Sequence, residues 1–553
     1  MGKNKHIAAI SLIIALGILA HGISGSSQSL FGDEWGSINN MKNGLLQCPK
    51  TDYVFMRPLM HCYHLILNKT LGINIAGFHA VSLMLIIVSA LLLYYVLNYV
   101  FPKWYLYNLS ITLLFLVYPS GYMHVDFESG YHKLALILFI LGCICLIKYL
   151  KTGNLFFLAT SIGSLLMVMF LYEAFIGVII LISGILLIQS FFKHKNIVIK
   201  MGLVIPIIIA GIYSIGRWQN QLIVGSAFGH STESLNFSPT GIINRIIIGY
   251  RTSLQWGWTG AIQYFFPYHK IGSLRIGLIL LTITLLLVFV FIAYKRKTIQ
   301  INKYEYLIPM RLDRIVEISV YGFLFLGVGY FPVIFSASPN LSAIGSRFNI
   351  IPSLGASIFL VTSLCLILYF LKFNPKTANI AYTLIAISLI LLALNSQIVS
   401  QKETLIGWEH QKSIWKQLMS TAPDLKPGTT VFIVIPNYTI KENSRGSFPF
   451  TGGNWGMKAA LSLLYGHDDI NGYVTFSDVD NLHINEIGIE NGWEKEIVSF
   501  NQALVFSYDY NKRKLRIINN LPYIQGTTLT PDLCVNCIIH KSGTQSEWLY
   551  LIN

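Results

Sequence analysis

The sequence predicts a polytopic α-helical membrane protein of about eleven transmembrane helices, followed by a small mixed α/β domain. Three observations predict it. Of 553 residues, 54% are hydrophobic and only 12% are charged, half the roughly 25% charge of a soluble chain. Mean hydropathy is +0.57, and runs of about 20 apolar residues, the length that crosses ~30 Å of hydrocarbon, recur through residues 1–399. The charge is also uneven. Residues 1–399 hold ten of the 25 acidic and 27 of the 40 basic residues, and residues 400–553 hold the other 15 and 13. A disordered chain, a fibrous protein and an ordinary soluble enzyme are excluded. Nucleic-acid binding is a poor explanation of the basic balance, because the cations are scattered among apolar spans.

Taken in order, the spans fall near 7–23, 78–100, 104–118, 132–150, 155–171, 174–192, 201–216, 272–294, 315–335, 351–371 and 379–399. The first follows Met-Gly-Lys-Asn-Lys and lacks a small-residue cleavage site, so it reads as a retained helix. Lys and Arg gather in every second loop: Lys3 and Lys5, then Lys103, Lys148 and Lys151, Lys193 to Lys200, Lys295 to Arg314, and Lys372 with Lys376. Basic loops are retained in the cytoplasm, which places the N-terminus there. An odd number of spans then places the C-terminal domain outside. The outer loops are 24–77, 119–131, 217–271 and 336–350. Two of them are long, and long loops beside a bundle usually carry function.

Residues 400–553 have a different pattern. Strand-like runs occur at Val431–Ile435, Tyr473–Phe476, Ile497–Tyr508 and Trp548–Ile552, a helical stretch fits 456–465, and Pro427-Gly428 and Thr451-Gly452-Gly453-Asn454 read as turns.

The ten acids of the membrane part can be placed one by one. Glu305, Asp313 and Glu317 accompany the large basic loop as counter-charges, and Asp52 and Glu233 lie in polar loops. The other five, Asp33, Glu34, Asp126, Glu128 and Glu173, all fall at outer ends of spans. An ionisable group at such a boundary costs about 1–3 kcal/mol unless paired or wetted. Two acidic pairs on separate loops suit a general base, hydrogen-bond acceptors for sugar hydroxyls, or a divalent metal such as Mg or Mn held by Asp33, Asp126 and Glu128. The alternative for each is a loop carboxylate neutralised by a neighbouring cation. Arg57, at the start of an amphipathic stretch reaching about Leu71, and Arg347, before the tenth span, offer planar forks suited to phosphate. Snorkelling at a helix end is the alternative for both. His124 and Lys133 flank the second acidic pair.

These residues also carry a family resemblance. FGDEWGSINNMKNGLL, then MRPLMHCYHLILNKTLGINIAGFHAVSLM, resembles the opening of GT-C glycosyltransferases, in the style of the protein O-mannosyltransferase-like branch. That branch has an acidic pair after its first helix, an Arg-Pro-Leu, and a Gly-Asn-Pro/Phe-His segment entering the second helix. Here they are Asp33-Glu34, Arg57-Pro58-Leu59, and Gly72-Ile73-Asn74 with Phe78-His79. YPSGYMHVDFESGYHKLALILFIL, LMVMFLYEAFIG and GSRFNIIPSLGASIFL are similar to three later blocks. The resemblance covers most of 25–190 plus 340–360. Tyr131, His132 and Lys133 depart from the family's Arg and Asp, and Tyr172 replaces the Lys of its Lys-Glu turn. No TPR repeat follows.

The resemblance implies a GT-C-like fold and inverting transfer of a sugar from a polyprenyl-phosphate donor to a hydroxyl of a glycan, lipid or protein acceptor, at the outer face of a bacterial plasma membrane. Asp33 would be the base and Glu34 its assistant. Asp126 or Glu128 would touch the acceptor, the sugar or a metal. Arg57, Arg347, Lys133 and His124 would meet the lipid phosphate, and Glu173 would hold the loop between the fifth and sixth spans. A transporter or flippase of lipid-linked glycans is the rival reading, and predicts acids or broken helices at mid-bilayer rather than at its outer edge. A polymerase or ligase would depend less on paired acids.

Among the other motifs, the glycine-rich pieces lack a P-loop lysine. Cys143, Cys145 and Cys365 lie in spans as core residues, while Cys534-x-x-Cys537 and the pair Cys48 and Cys62 are candidate disulfides. Trp218 and Trp256-Gly257-Trp258 read as interfacial anchors, with stacking on a sugar or prenyl chain as the alternative. Topology mapping with a membrane-impermeant thiol reagent on residue 33 exchanged to cysteine is expected to label it from outside. Labelling only from the cytoplasm would overturn the orientation.

Overall fold

The computed structural model describes residues 2–25, 29–30, 32–48, 57–121, 126–193, 197–224, 238–265, 312–331, 339, 341, 345–436, 453–466, 468–475, 483–484, 487–490, 497–518, 533 and 537–538. Its helices are α1 (Gly2–Gly25), α2 (Asp33–Lys42), α3 (Met60–Leu71), α4 (Ile75–Val100), α5 (Tyr105–Leu116), α6 (Gly130–Thr152), α7 (Leu155–Leu171), α8 (Ile176–Lys193), α9 (Ile197–Val224), α10 (Pro239–Arg251), α11 (Gly257–Phe265), α12 (Leu312–Gly329), α13 (Ile350–Phe370) and α14 (Pro375–Thr421). Short turns of 3₁₀ helix at Glu173–Phe175 and Gly345–Asn349 introduce α8 and α13.

Six of the described helices are long and apolar enough to cross a membrane: α1, α4, α6, α8, α13 and α14. The expected spans at 104–118, 155–171 and 201–216 are shorter apolar helices. The span at 272–294 lies outside the described residues. The segment between α1 and α4 is more structured than the sequence predicts, because α2 as well as the amphipathic α3 is helical. Polar punctuation sets several boundaries. Asn74, Asn154, Ser238 and Asn374 cap α4, α7, α10 and α14 by accepting a backbone N–H, and Pro239 and Pro375 occupy first-turn positions. The antiparallel pair α12 and α13 meets through glycines: a Cβ on Gly322 would lie 2.7 Å from the Phe359 nitrogen, the close approach that small residues permit between membrane helices.

α14 has 47 residues, about 70 Å at 1.5 Å per residue. That is twice the ~30 Å of a hydrocarbon core. It therefore leaves the bundle as an unbroken rod, and the expected boundary at residue 400 falls inside a helix, not in a linker. Gln397 ties the rod down: its Nε2 donates to the carbonyls of Tyr118 at 2.8 Å and Gly121 at 2.7 Å. Gln401 donates to the Ala20 carbonyl.

The polar end of the rod enters the α/β domain. β1 (Thr430–Val434) lies parallel to both β2 (Asn471–Thr475) and β6 (Ala503–Asp509), and β7 (Lys514–Ile518) completes the order β2-β1-β6-β7 antiparallel to β6. A second sheet pairs β3 (His483–Ile484), β4 (Gly488–Glu490) and β5 (Ile497–Ser499). α15 (Gly453–Tyr465) covers β2. The predicted run Ile497–Tyr508 is thus two strands split by a 3₁₀ turn at Phe500–Gln502. The hairpin strand β7, Lys-Leu-Arg-Ile-Ile, went unread because only five residues alternate. The predicted strand Trp548–Ile552 lies outside the described residues. All five residues of β1 are buried, as expected for a central parallel strand covered on both faces.

Gln397→Leu would leave the Tyr118 and Gly121 carbonyls without this donor. It is expected to destabilise the protein by about 1–3 kcal/mol, read as a lower melting temperature in detergent. An unchanged melt would overturn this anchoring role.

Candidate active site

α2 begins at Gly32, whose φ of 49° suits glycine, and carries Asp33 and Glu34 in its first turn, where the helix dipole favours acids. Adjacent residues on a helix diverge, and these two have different surroundings. Glu34 is fully buried. Its Oε1 accepts the Phe127 N–H at 3.0 Å and lies 3.8 Å from His79 Nε2. Asp33 faces the open side, 31% exposed, and its Oδ2 accepts from Arg347 Nη1 at 2.6 Å. Asp33 is therefore the accessible member of the pair. Glu34 fastens α2 to the second acidic loop.

That loop, 126–129, is held from within. Asp126 Oδ1 accepts the Glu128 N–H at 2.9 Å. The Asp126 carbonyl accepts from Ser82 Oγ at 2.9 Å, Ser129 Oγ at 3.1 Å and Lys133 Nζ at 3.1 Å. Lys133 is buried, and its ammonium also reaches Ser82 Oγ at 2.5 Å and Ser129 Oγ at 3.3 Å. Its three contacts are thus two within the loop and one on α4, and they join Lys133 to both. His124 lies outside the described residues.

Glu128 is buried too. It accepts from Ser37 Oγ, one turn after Asp33 on α2, and its Oε2 lies 3.3 Å from His64 Nε2 on α3. Burial, reinforced by the charge of Asp33, raises the Glu128 pKa well above the carboxylate range, against the opposing pull of Ser37 and Arg347. Burial, reinforced by His61, lowers His64 to about 3. Both shifts favour the uncharged form of each partner. A disulfide between Cys48 and Cys62 holds the start of α3 to the segment after α2. Cys537 is also disulfide-bonded, and Cys534 lies outside the described residues.

A second charged centre forms around Glu173. Arg57 grips this carboxylate with Nε on Oε2 and Nη2 on Oε1, both at 2.6 Å, and its Nη1 donates to the Tyr131 hydroxyl at 3.1 Å. Arg217, near the end of α9, adds Nη2 on Oε1 at 2.8 Å. Glu173 is 7% exposed, the two arginines 25% and 21%. Arg57 adopts a φ of 57° and stands over the Tyr172 ring. Tyr131 lies between the two centres, within electrostatic reach of both Arg57 and Arg347. Sequence reasoning brought Asp33, Glu34, Asp126, Glu128, Arg57, Glu173 and Arg347 to this region. It missed Ser37, His64 and Arg217. Arg217 had a signal like that of Arg347, a lone cation at one end of an apolar helix, and would have been read as snorkelling.

The arrangement offers an accessible carboxylate latched to one guanidinium, a buried neutral acid behind it, and two guanidinium groups converging beyond Tyr131. Among the described residues, no three His, Cys, Asp or Glu side chains are gathered as a metal site.

Two pH effects follow. An unfolded chain protonates His64 below 6.5 and the folded chain does not until about 3, so stability falls as pH drops through that window, by up to about 1.4 kcal/mol per pH unit. Glu128 acts in the other direction: above about 4.5 the unfolded chain ionises while the folded group stays protonated, so stability falls as pH rises. His64→Gln is expected to flatten the acid side of the melting profile and Glu128→Gln the neutral side. Profiles unmoved by either change would overturn the assignment of neutral partners.

No protein-family model matches the chain, and no curated protein sequence matches it.

Proposed function

We propose that the chain is a GT-C-like membrane glycosyltransferase that takes a sugar from a polyprenyl-phosphate donor and transfers it, with inversion, to a hydroxyl of an extracytoplasmic glycan, lipid or protein acceptor. The observation that carries the reading is a partly exposed Asp33 carboxylate held by Arg347, together with a second centre in which Arg57 and Arg217 converge on Glu173 and Arg57 reaches Tyr131. Inverting transfer needs a base on one face of the anomeric carbon and an anion site on the other. Asp33 removes the acceptor proton as the acceptor oxygen bonds to the anomeric carbon. The bond from that carbon to the phosphate oxygen breaks, and the lipid phosphate leaves with its electron pair. Paired arginines suit phosphate because their forks are planar and permanently charged. Arg347 orients Asp33 and returns to it as the acceptor departs. Fixed charges and donors act here without reorganising during the reaction.

The topology belongs to the same proposal: about eleven spans in a bacterial plasma membrane, the N-terminus cytoplasmic, and the site and C-terminal domain outside. The packing of α2 against α15 supports the shared side. Asp33, Glu34, Asp126 and Glu128 lie outside the six membrane-length helices, which weighs against the transporter reading.

Purified protein in lipid, offered a panel of radiolabelled polyprenyl-phosphate sugars, is expected to consume one of them. Asp33→Asn should lower transfer by about 10²–10⁴-fold while donor binding persists. Arg217→Gln should instead weaken donor binding. Full activity in the Asp33 variant would sink the mechanism.

A further inference from the structure

The soluble domain touches the residue that introduces the acidic pair. α2 is a third layer over this domain: β2 packs against α15, and the other side of α15 packs against α2. The contact is backbone to backbone. A Cβ built on Gly456 would stand 2.6 Å from the Gly32 carbonyl oxygen and 3.3 Å from its Cα. No L-residue fits there unless one backbone moves. One helical turn along, Trp35 is buried. It donates its indole N–H to Gln411 Oε1 at 3.1 Å and packs between the rings of Trp408 and Trp415, both on α14. At its other end α15 is tied to the rod, since the Tyr465 hydroxyl donates to the Ala422 carbonyl at 2.8 Å. Asp33 thus sits between Gly32 and Trp35, two anchors that belong to the domain side, while Glu34 and Ser37 are fastened to the bundle side.

We infer that Gly456 and Trp35 make the C-terminal domain a positioning element for Asp33, and that α15 sets the first turn of α2 through the Gly32–Gly456 contact. The domain is then part of the active-site scaffold, whatever acceptor it also meets. A side chain at 456 pushes on Gly32, turns the start of α2, and moves the Asp33 carboxylate from the line set by Arg347. Misplacement by about 1 Å costs an enzyme about a hundredfold in rate. The donor centre at Glu173 shares no contact with Gly456, so donor affinity is not coupled to it. The inference rests on the proposed transferase only in its rate measurement.

The full-length protein in lipid nanodiscs, carrying Gly456→Ala, Gly456→Val or the control Gly466→Ala, tests it. Gly466 follows α15 at a φ of +79° with no atom near its missing side chain, so a change there strains the same domain away from α2. Amide hydrogen exchange in residues 33–42 is expected to accelerate in the order Ala then Val at 456, while exchange in α4 and α6 stays unchanged and Gly466→Ala leaves α2 as in the wild type. Sugar transfer should fall about ten- to hundredfold for Gly456→Val, with the donor KM within twofold. Wild-type exchange of α2 in Gly456→Val would overturn the inference, as would equal loosening by Gly466→Ala, which would reduce the effect to domain stability. Loosened α2 in a protein whose wild type transfers no sugar from any donor would uphold the positioning contact and reject the transferase.

Discussion

Pairing of charge at the edge of a low-dielectric bundle is the constraint on which this structure depends. A charged or strongly polar group taken from water without a partner is expensive, so each such group near the bundle must be matched. Few acids are available in residues 1–399, and the matches therefore span the chain. Asp33 meets Arg347 across 314 residues, Arg57 meets Glu173 across 116, and Glu34 meets the Phe127 amide across 93. Each pair joins an early loop to a later one. Removing one partner leaves the other as an uncompensated charge, a larger penalty than the pair's own net contribution. The loops are thus held together by the charges that make them chemically interesting.

The same scarcity sorts the acids by burial. Asp33 and Glu128 approach one helix, α2, yet Asp33 is partly open while Glu128 is enclosed by Ser37 and His64. Two carboxyl groups under one another's influence and in unlike surroundings separate in acidity, the pattern that assigns different roles to like residues. The neutral Glu128 can donate a hydrogen bond, which a carboxylate cannot. Lys133 does the complementary work for the backbone, with its ammonium over the Asp126 carbonyl and two serine hydroxyls. A cation among carbonyls and hydroxyls stabilises a loop without presenting charge to a ligand.

Much of the fold was legible because hydrophobic runs report directly on helices. The stretches that became α1, α4, α6, α8 and α13 were all read within a few residues. α2 was not, because Asp-Glu-Trp-Gly-Ser-Ile-Asn-Asn-Met-Lys has weak helical propensity and only Trp35, Ile38 and Met41 as a buried apolar stripe. Its helix depends on partners found elsewhere in the chain, Gln411 and the tryptophans of α14. The candidate site was legible by elimination: acids unexplained by topology stood out. Which acid is open and which is neutral was not legible, because those properties follow from Ser37, His64 and Arg347 arriving from three different elements. Arg217 was hidden for the opposite reason. A lone arginine ending an apolar helix is common, and only Glu173 distinguishes this one.

The unbroken α14 gives the C-terminal domain its relation to the chemistry. A linker at residue 400 would leave domain and bundle free to move against each other, as domains joined by small interfaces do. A helix that enters the domain carrying Trp408, Gln411 and Trp415, and is fixed below by Gln397 and Gln401, transmits position instead. α2 has few internal resources of its own: ten residues, two glycines at or near its start, and no side-chain cap. Helices this short are marginal alone. Its geometry must then be imposed from outside, by the acidic loop on one side and by α14 with α15 on the other. A carboxylate at the start of such a helix is only as well placed as those two supports, which ties the position of Asp33 to a domain distant in sequence.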